Sequence, residues 1–198
     1  MIMKTILFPA VVAIAGASWA CLPNDGQFAL FAPSGSSRAD DQTKHDAAPE
    51  FTQVTEWLNS KPIKLAEQKG KVVVVHFWTN GCINCIHNYP HYRAWQEKYQ
   101  HEKDYLMVGI HTPEFASEKD LDRIKTRAAQ NKLTFAILVD NDAANWKAWE
   151  NQYWPCVYLV DKQGVIRQRW EGELGDAGYK QLTEQIDSLL AEKPVLKK

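Results

Sequence analysis

The chain has 198 residues with 23 Lys and Arg against 24 Asp and Glu, a formal charge of -1, so its charge balance carries no footprint for nucleic acid. Its four cysteines are too few for a disulfide-stapled scaffold at this length, and 45% hydrophobic residues are enough to build one core of ordinary size.

Residues Met1 to Ala20 carry one positive side chain, Lys4, no acid, an apolar stretch from Ile6 to Gly16, and Ser18-Trp19-Ala20 with small residues where signal peptidase reads. The pattern predicts a secretory signal over 1–20, too short to span a membrane, and with it a periplasmic or otherwise extracytoplasmic location. Removing it takes away Lys4 alone, leaving 23 − 1 = 22 basic against 24 acidic residues. Cleavage after Ala20 would make Cys21 the first residue, the position that carries the lipid in membrane-anchored lipoproteins. Ser18 and the bulky Trp19 fit such a signal poorly, so a lipid anchor and an unmodified terminus both stay open.

From 21 to 49 the chain is rich in Pro, Gly, Ser, Asp and Ala without a sustained period, which predicts a flexible tether. The folded domain is expected over 50–192, with a short tail at 193–198. Short segments at Thr55 to Leu58 and Leu65 to Gln68 come first. Lys71 to Trp78 is nearly all apolar and fits a central strand buried on both faces.

Cys82 and Cys85 follow that strand at a spacing of three, just before a helical pattern of Ile83, Ile86, Tyr89, Tyr92, Trp95 and Tyr99 that Pro90 interrupts, predicting a kinked helix. At a helix start, unpaired N–H groups and the positive end of the dipole favour a thiolate on Cys82, and Cys85 is placed to close on it. Disulfide exchange needs that pairing of an attacking and a resolving sulfur.

Tyr105 to Ile110 reads as a second buried strand. Ser117-Glu118-Lys119-Asp120 has the form of a capping box opening a helix with Leu121, Ile124 and Ala128. Thr134 to Val139 returns as a strand, and a short helix with Trp146 and Trp149 leads to Trp154-Pro155. Val157 to Val160 and Val165 to Trp170 flank the turn Asp161-Lys162-Gln163-Gly164 as a hairpin, and Tyr179, Leu182, Ile186 and Leu189 mark a last helix. This order predicts an α/β fold whose mostly parallel sheet has an antiparallel edge and helices on both faces.

Phe77-Trp78, Cys82-Ile83-Asn84-Cys85, Pro90, His111-Thr112-Pro113-Glu114-Phe115, Asp140-Asn141-Asp142 and Tyr153-Trp154-Pro155, in this order, resemble the thioredoxin superfamily. The likeness is narrower to its extracytoplasmic TlpA-like branch, especially the soluble redox domain of DipZ-type proteins, and runs from about Pro49 to Leu190. It implies a thioredoxin fold, Cys82 as attacking thiolate, Cys85 as resolving thiol, and Pro155 in a cis-proline loop facing them. Trp78 and Trp154 would border the dithiol as substrate contacts. No cofactor is implied. The substrates implied are disulfide-containing proteins, and the TlpA-like resemblance favours reduction, which would need a membrane electron donor.

His76 departs from the family pattern, standing where a buried carboxylate usually serves the resolving cysteine. A neutral imidazole could carry that proton, and a space-filling core histidine is the alternative. Cys156 reads either as a third redox thiol or as a buried apolar residue, and Glu114 either as a carboxylate beside the dithiol or as a solvated loop acid. Two rival functions stay open: a metal carrier using Cys82 and Cys85 with His87 or His76, and a peroxiredoxin-like peroxide reductase, for which Thr79 stands three before Cys82. Ile86 between Cys85 and His87 disfavours covalent haem.

Overall fold

The computed structural model describes residues 47–193. The expected signal sequence, Cys21, nearly all of the tether and the end of the tail lie outside the described residues.

Six strands form one sheet in the order β1-β4-β3-β2-β5-β6: β1 (Glu56–Leu58), β2 (Val72–Trp78), β3 (Tyr105–His111), β4 (Ala136–Val139), β5 (Cys156–Val160) and β6 (Ile166–Glu171). The helices are α1 (Ile83–Tyr99), α2 (Leu121–Gln130), α3 (Ala144–Ala148) and α4 (Gly175–Ala191). Two single 3-10 turns, Leu65–Gln68 and Ala116–Glu118, complete the regular structure. No helix among the described residues is long and apolar enough to cross a membrane.

The sheet is mixed rather than mostly parallel. Parallel pairing is confined to β2 with β3 and β3 with β4, while β1, β5 and β6 all join antiparallel. The reason is connection length: β2 to β3 and β3 to β4 are joined through α1 and α2, as parallel crossovers require, whereas β5 and β6 share a tight turn. That turn is closed by Asp161, whose Oδ1 accepts the N–H groups of Gln163 and Val165. Sheet pairing also begins before residue 50, because Ala47 bridges to Val165.

β2 is buried at every position, and its period of two divides the molecule. Val72, Val74 and Trp78 face Tyr89, Tyr92 and Trp95 of α1 and Leu182 and Ile186 of α4. Val73, Val75 and Phe77 face the other way, onto Phe51, Leu65, Trp149 and Tyr158. Helix α1 is one run of 17 residues through Pro90.

The start of α2 corrects the expected capping box. Asp120, not Ser117, caps it, its Oδ1 accepting from the N–H groups of Asp122 and Arg123. Ser117 lies in the 3-10 turn before it, which frees Glu118 for another task.

Candidate active site

Strands β2 and β3 end side by side, and the chain leaving β2 turns through Thr79-Asn80-Gly81 into α1. Cys82 is the N-cap of α1 and is disulfide-bonded to Cys85, with α-carbons 5.2 Å apart. The Cys82 Sγ accepts the Cys85 N–H at 3.0 Å. Cys82 is half-buried and Cys85 fully buried, so an incoming sulfur meets Cys82 first. The first turn of α1 contains no acid to oppose charge on that sulfur.

Glu118 reaches this loop from the segment after β3 and is a site residue that the sequence reading missed. It is 6% exposed. Its Oε1 accepts the Gly81 N–H at 2.7 Å, and its Oε2 accepts the Thr79 hydroxyl at 2.8 Å and the N–H groups of Glu114 at 2.7 Å and Phe115 at 3.2 Å. Burial alone would raise the carboxyl pKa, but these hydrogen bonds outweigh it and hold the group below its ordinary value. A β-carbon at position 81 would lie 2.5 Å from Oε1, so the contact depends on glycine there. The available signal was an acid three after Phe115, an N3 position reaching back to the N–H that opens its own turn.

Glu114, the acid singled out by sequence, offers its N–H to Glu118 while its side chain is exposed. The Thr79 hydroxyl, noted for its spacing from Cys82, donates to Glu118.

The Trp154-Pro155 peptide is cis. The Trp154 indole N–H donates to the Thr112 carbonyl at 3.0 Å, and Thr112 N–H donates to the Trp78 carbonyl at 3.1 Å. The loop before β5 is thereby tied to the ends of β3 and β2. Trp154 is half-buried and Pro155 buried. Trp78 requires a correction: it is fully buried, edge-on to Tyr89 and His111, in the core cluster that includes Cys85. Such a side chain supports the pair from within and is closed to substrate.

His76 is fully buried, stacked on Tyr92 with centroids 4.1 Å apart and edge-on to Phe135. Neither ring nitrogen has a hydrogen-bond partner among the described residues. Burial pushes its pKa down to about 3, so the ring is neutral at ordinary pH. His111, which sequence did not single out alone, is likewise buried and pushed down to about 4 by burial, against the pull of the Glu118 charge. Cys156 is unbridged and buried between Phe77 and Glu171 in the sheet register, and burial raises its thiol pKa.

The ligand set of the rival metal-carrier reading is not brought together. His87 pairs with Glu173 at 3.0 Å on the surface while His76 lies in the core, and the described residues hold no group of three or more His, Cys, Asp or Glu arranged for a metal ion.

A thioredoxin-type sheet carrying a Cys-x-x-Cys pair at the start of α1 is the architecture of thioredoxin-like proteins. The chain belongs to the AhpC/TSA family, whose model matches residues 45–169. It is 33% identical over 144 residues to the thiol-disulfide oxidoreductase YkuV of Bacillus subtilis, covering 73% of this chain and 94% of that protein. Protein DipZ of Mycobacterium bovis is 39% identical over 129 residues, covering 64% of this chain but 18% of DipZ, so the match spans a small part of that relative's length. Among solved structures, a thioredoxin-like protein in the oxidized form superposes with a TM-score of 0.65 at 32% identity, covering 75% of this chain and 97% of that one.

Proposed function

We propose that the chain reduces disulfides of protein partners outside the cytoplasm, using Cys82 and Cys85 as the electron-carrying pair. The observation that carries this reading is the asymmetry of the bridge, with Cys82 half-buried and partly accessible and Cys85 fully buried. In the reduced protein the Cys82 thiolate attacks one sulfur of a substrate disulfide and expels the other as a thiolate. Cys85, losing its proton, then attacks Cys82 Sγ and releases the second substrate sulfur. The substrate gains two electrons and the Cys82–Cys85 bond re-forms.

Protein substrates fit the surroundings. Ile83, Phe115 and Tyr153 are the exposed large apolar side chains among the described residues, and they stand on α1, the Glu118 segment and the loop before Pro155. In this reading Trp154 and Pro155 form a wall along which an extended substrate segment pairs main chain to main chain beside Cys82. His76 enters as the candidate acceptor of the Cys85 proton. Its unpartnered nitrogens leave a lone pair available, while its depressed pKa makes it a weak base.

Export rests on the pattern of residues 1–20, and a reductase in an oxidising compartment draws electrons from a membrane donor. A Cys85→Ser variant of the full chain should accumulate mixed disulfides with exported proteins through Cys82, and a Cys82→Ser variant none. Equilibration with glutathione supplies the direction: a potential as high as that of strong periplasmic oxidants, about -120 mV, would overturn reduction.

A further inference from the structure

The loop that presents Cys82 is held by a carboxylate. Glu118 Oε1 is bonded to the N–H of Gly81, the residue immediately before Cys82, and consecutive α-carbons are only about 3.8 Å apart. Four donors converge on this carboxylate, from Thr79, Gly81, Glu114 and Phe115, which keeps it ionised although it is buried. A thiolate forming on Cys82 therefore meets a fixed like charge in surroundings where solvent screens weakly.

The other charged and titratable groups around the pair do not cancel that charge. His111 on β3 interacts with Glu118 but is buried and neutral at ordinary pH. Asp140, after β4, spends its oxygens on Thr112, Asn145 and Trp146. Glu114 and Lys119, flanking the turn, have exposed side chains. On α1, His87 is paired with Glu173 from the segment before α4. The favourable influence on the thiolate is the N-terminus of α1, so the helix dipole and the Glu118 carboxylate pull in opposite directions.

We infer that Glu118 is a positioning residue that also sets the redox poise of the pair: it fixes the turn from Thr79 to Gly81, and its charge destabilises the Cys82 thiolate, making the couple more reducing. The inference rests on Cys82 being the attacking sulfur, and it gives the proposed direction of electron flow a physical cause. A destabilised thiolate raises the free energy of the reduced form relative to the disulfide. It also leaves a Cys82 thiolate that is more nucleophilic once formed.

The test compares wild type, Glu118→Gln and Thr79→Val in the full chain. Two quantities are read: the Cys82 thiol pKa, from the pH dependence of alkylation mapped to Cys82 by mass, and the potential against glutathione at pH 9. Loss of the charge in Glu118→Gln should lower the Cys82 pKa by about one unit. That is a tenfold gain for the reduced form where the thiolate is fully ionised, or about 30 mV toward less reducing potentials. Thr79→Val removes a donor but keeps the charge, so its Cys82 pKa should equal or exceed that of wild type. This second arm stands even if Glu118→Gln fails to fold. An unmoved pKa and potential in a folded Glu118→Gln protein would overturn the inference. So would a fall of the Cys82 pKa in Thr79→Val, since loop geometry alone would then account for both variants. Failure of the underlying assignment has a separate signature, the absence of Cys82 mixed disulfides in Cys85→Ser.

Discussion

Trp146 and Trp154 stack with ring centroids 4.0 Å apart and planes 29° from parallel, joining α3 to the loop before β5. Asp140 holds the first of them in place. Its carboxylate accepts the N–H groups of Asn145 at 3.0 Å and Trp146 at 2.9 Å, capping a five-residue helix whose own N-cap, Ala143, has no side chain to do so. It also accepts the Thr112 hydroxyl at 3.0 Å, and Thr112 carries the carbonyl that anchors the Trp154 indole. Asp140→Ala would strand at least two donors and is expected to cost about 2–6 kcal/mol, at about 1–3 kcal/mol for each unsatisfied group. Urea unfolding measures the loss, and near-ultraviolet circular dichroism should show the tryptophan signal weakened. An unchanged aromatic spectrum would mean that the stack does not depend on Asp140.

Trp154→Phe separates the wall from the fold. The ring keeps its apolar body but loses the hydrogen bond to Thr112, which is worth about 1 kcal/mol. Stability should fall by about that amount, while KM for a protein disulfide rises several-fold with little change in kcat. A fall in kcat with KM unchanged, so that kcat and kcat/KM drop equally, would assign the indole to the chemical step rather than to substrate binding.

His76 and Gly109 are coupled through space. A β-carbon on Gly109 would lie 2.8 Å from His76 Nε2 and 2.9 Å from the Phe135 ring, so the imidazole occupies room that only a glycine on β3 leaves open. Gly109→Ala is expected to destabilise by about 1–3 kcal/mol through overpacking. In a His76→Ala background part of that cost should vanish, with a coupling of at least about 0.5 kcal/mol in a double-mutant cycle. Strict additivity would place the clash on Phe135 alone.

The path from sequence to site was clearest where periodicity and local chemistry agree. The β2 block, the dithiol at the head of α1 and the hairpin around Asp161 are each written in neighbouring residues, and the structure places them as such. Sheet direction was less legible, because nothing within the three residues of β1 states that they pair antiparallel with β4 across a long stretch of chain. Glu118 was hidden for a related reason. Its local pattern satisfied a capping box that the helix did not need, and its partners Thr79 and Gly81 are distant in sequence. Trp78 was misread as substrate-facing because a residue near a cysteine in the chain can still point into the core on the alternation of its strand.

Acid lability should follow from the two buried histidines. Their pKa values are depressed by burial from 6.5 to about 3 for His76 and about 4 for His111. Above pH 6.5 both rings are neutral folded or unfolded, and stability is at its plateau as far as they are concerned. As the pH falls below 6.5 the unfolded chain takes up protons that the folded chain refuses, so stability is lost, down to about pH 4 for His111 and about pH 3 for His76. The slope is at most about 1.4 kcal/mol per pH unit for each ring. Glu118 adds to the loss at the acid end, since its depressed pKa gives stability that disappears as the pH falls through its folded value. His76→Phe keeps an aromatic ring against Tyr92 while removing one titrating group. Between pH 6 and 4.5 its urea-derived stability should decline less steeply than wild type, by up to about 1.4 kcal/mol per pH unit. An identical slope would mean that His76 takes up its proton in the folded state near the ordinary value. In that event the same variant should also remove an inflection near pH 6.5 from the exchange rate, as expected of a histidine that handles the Cys85 proton.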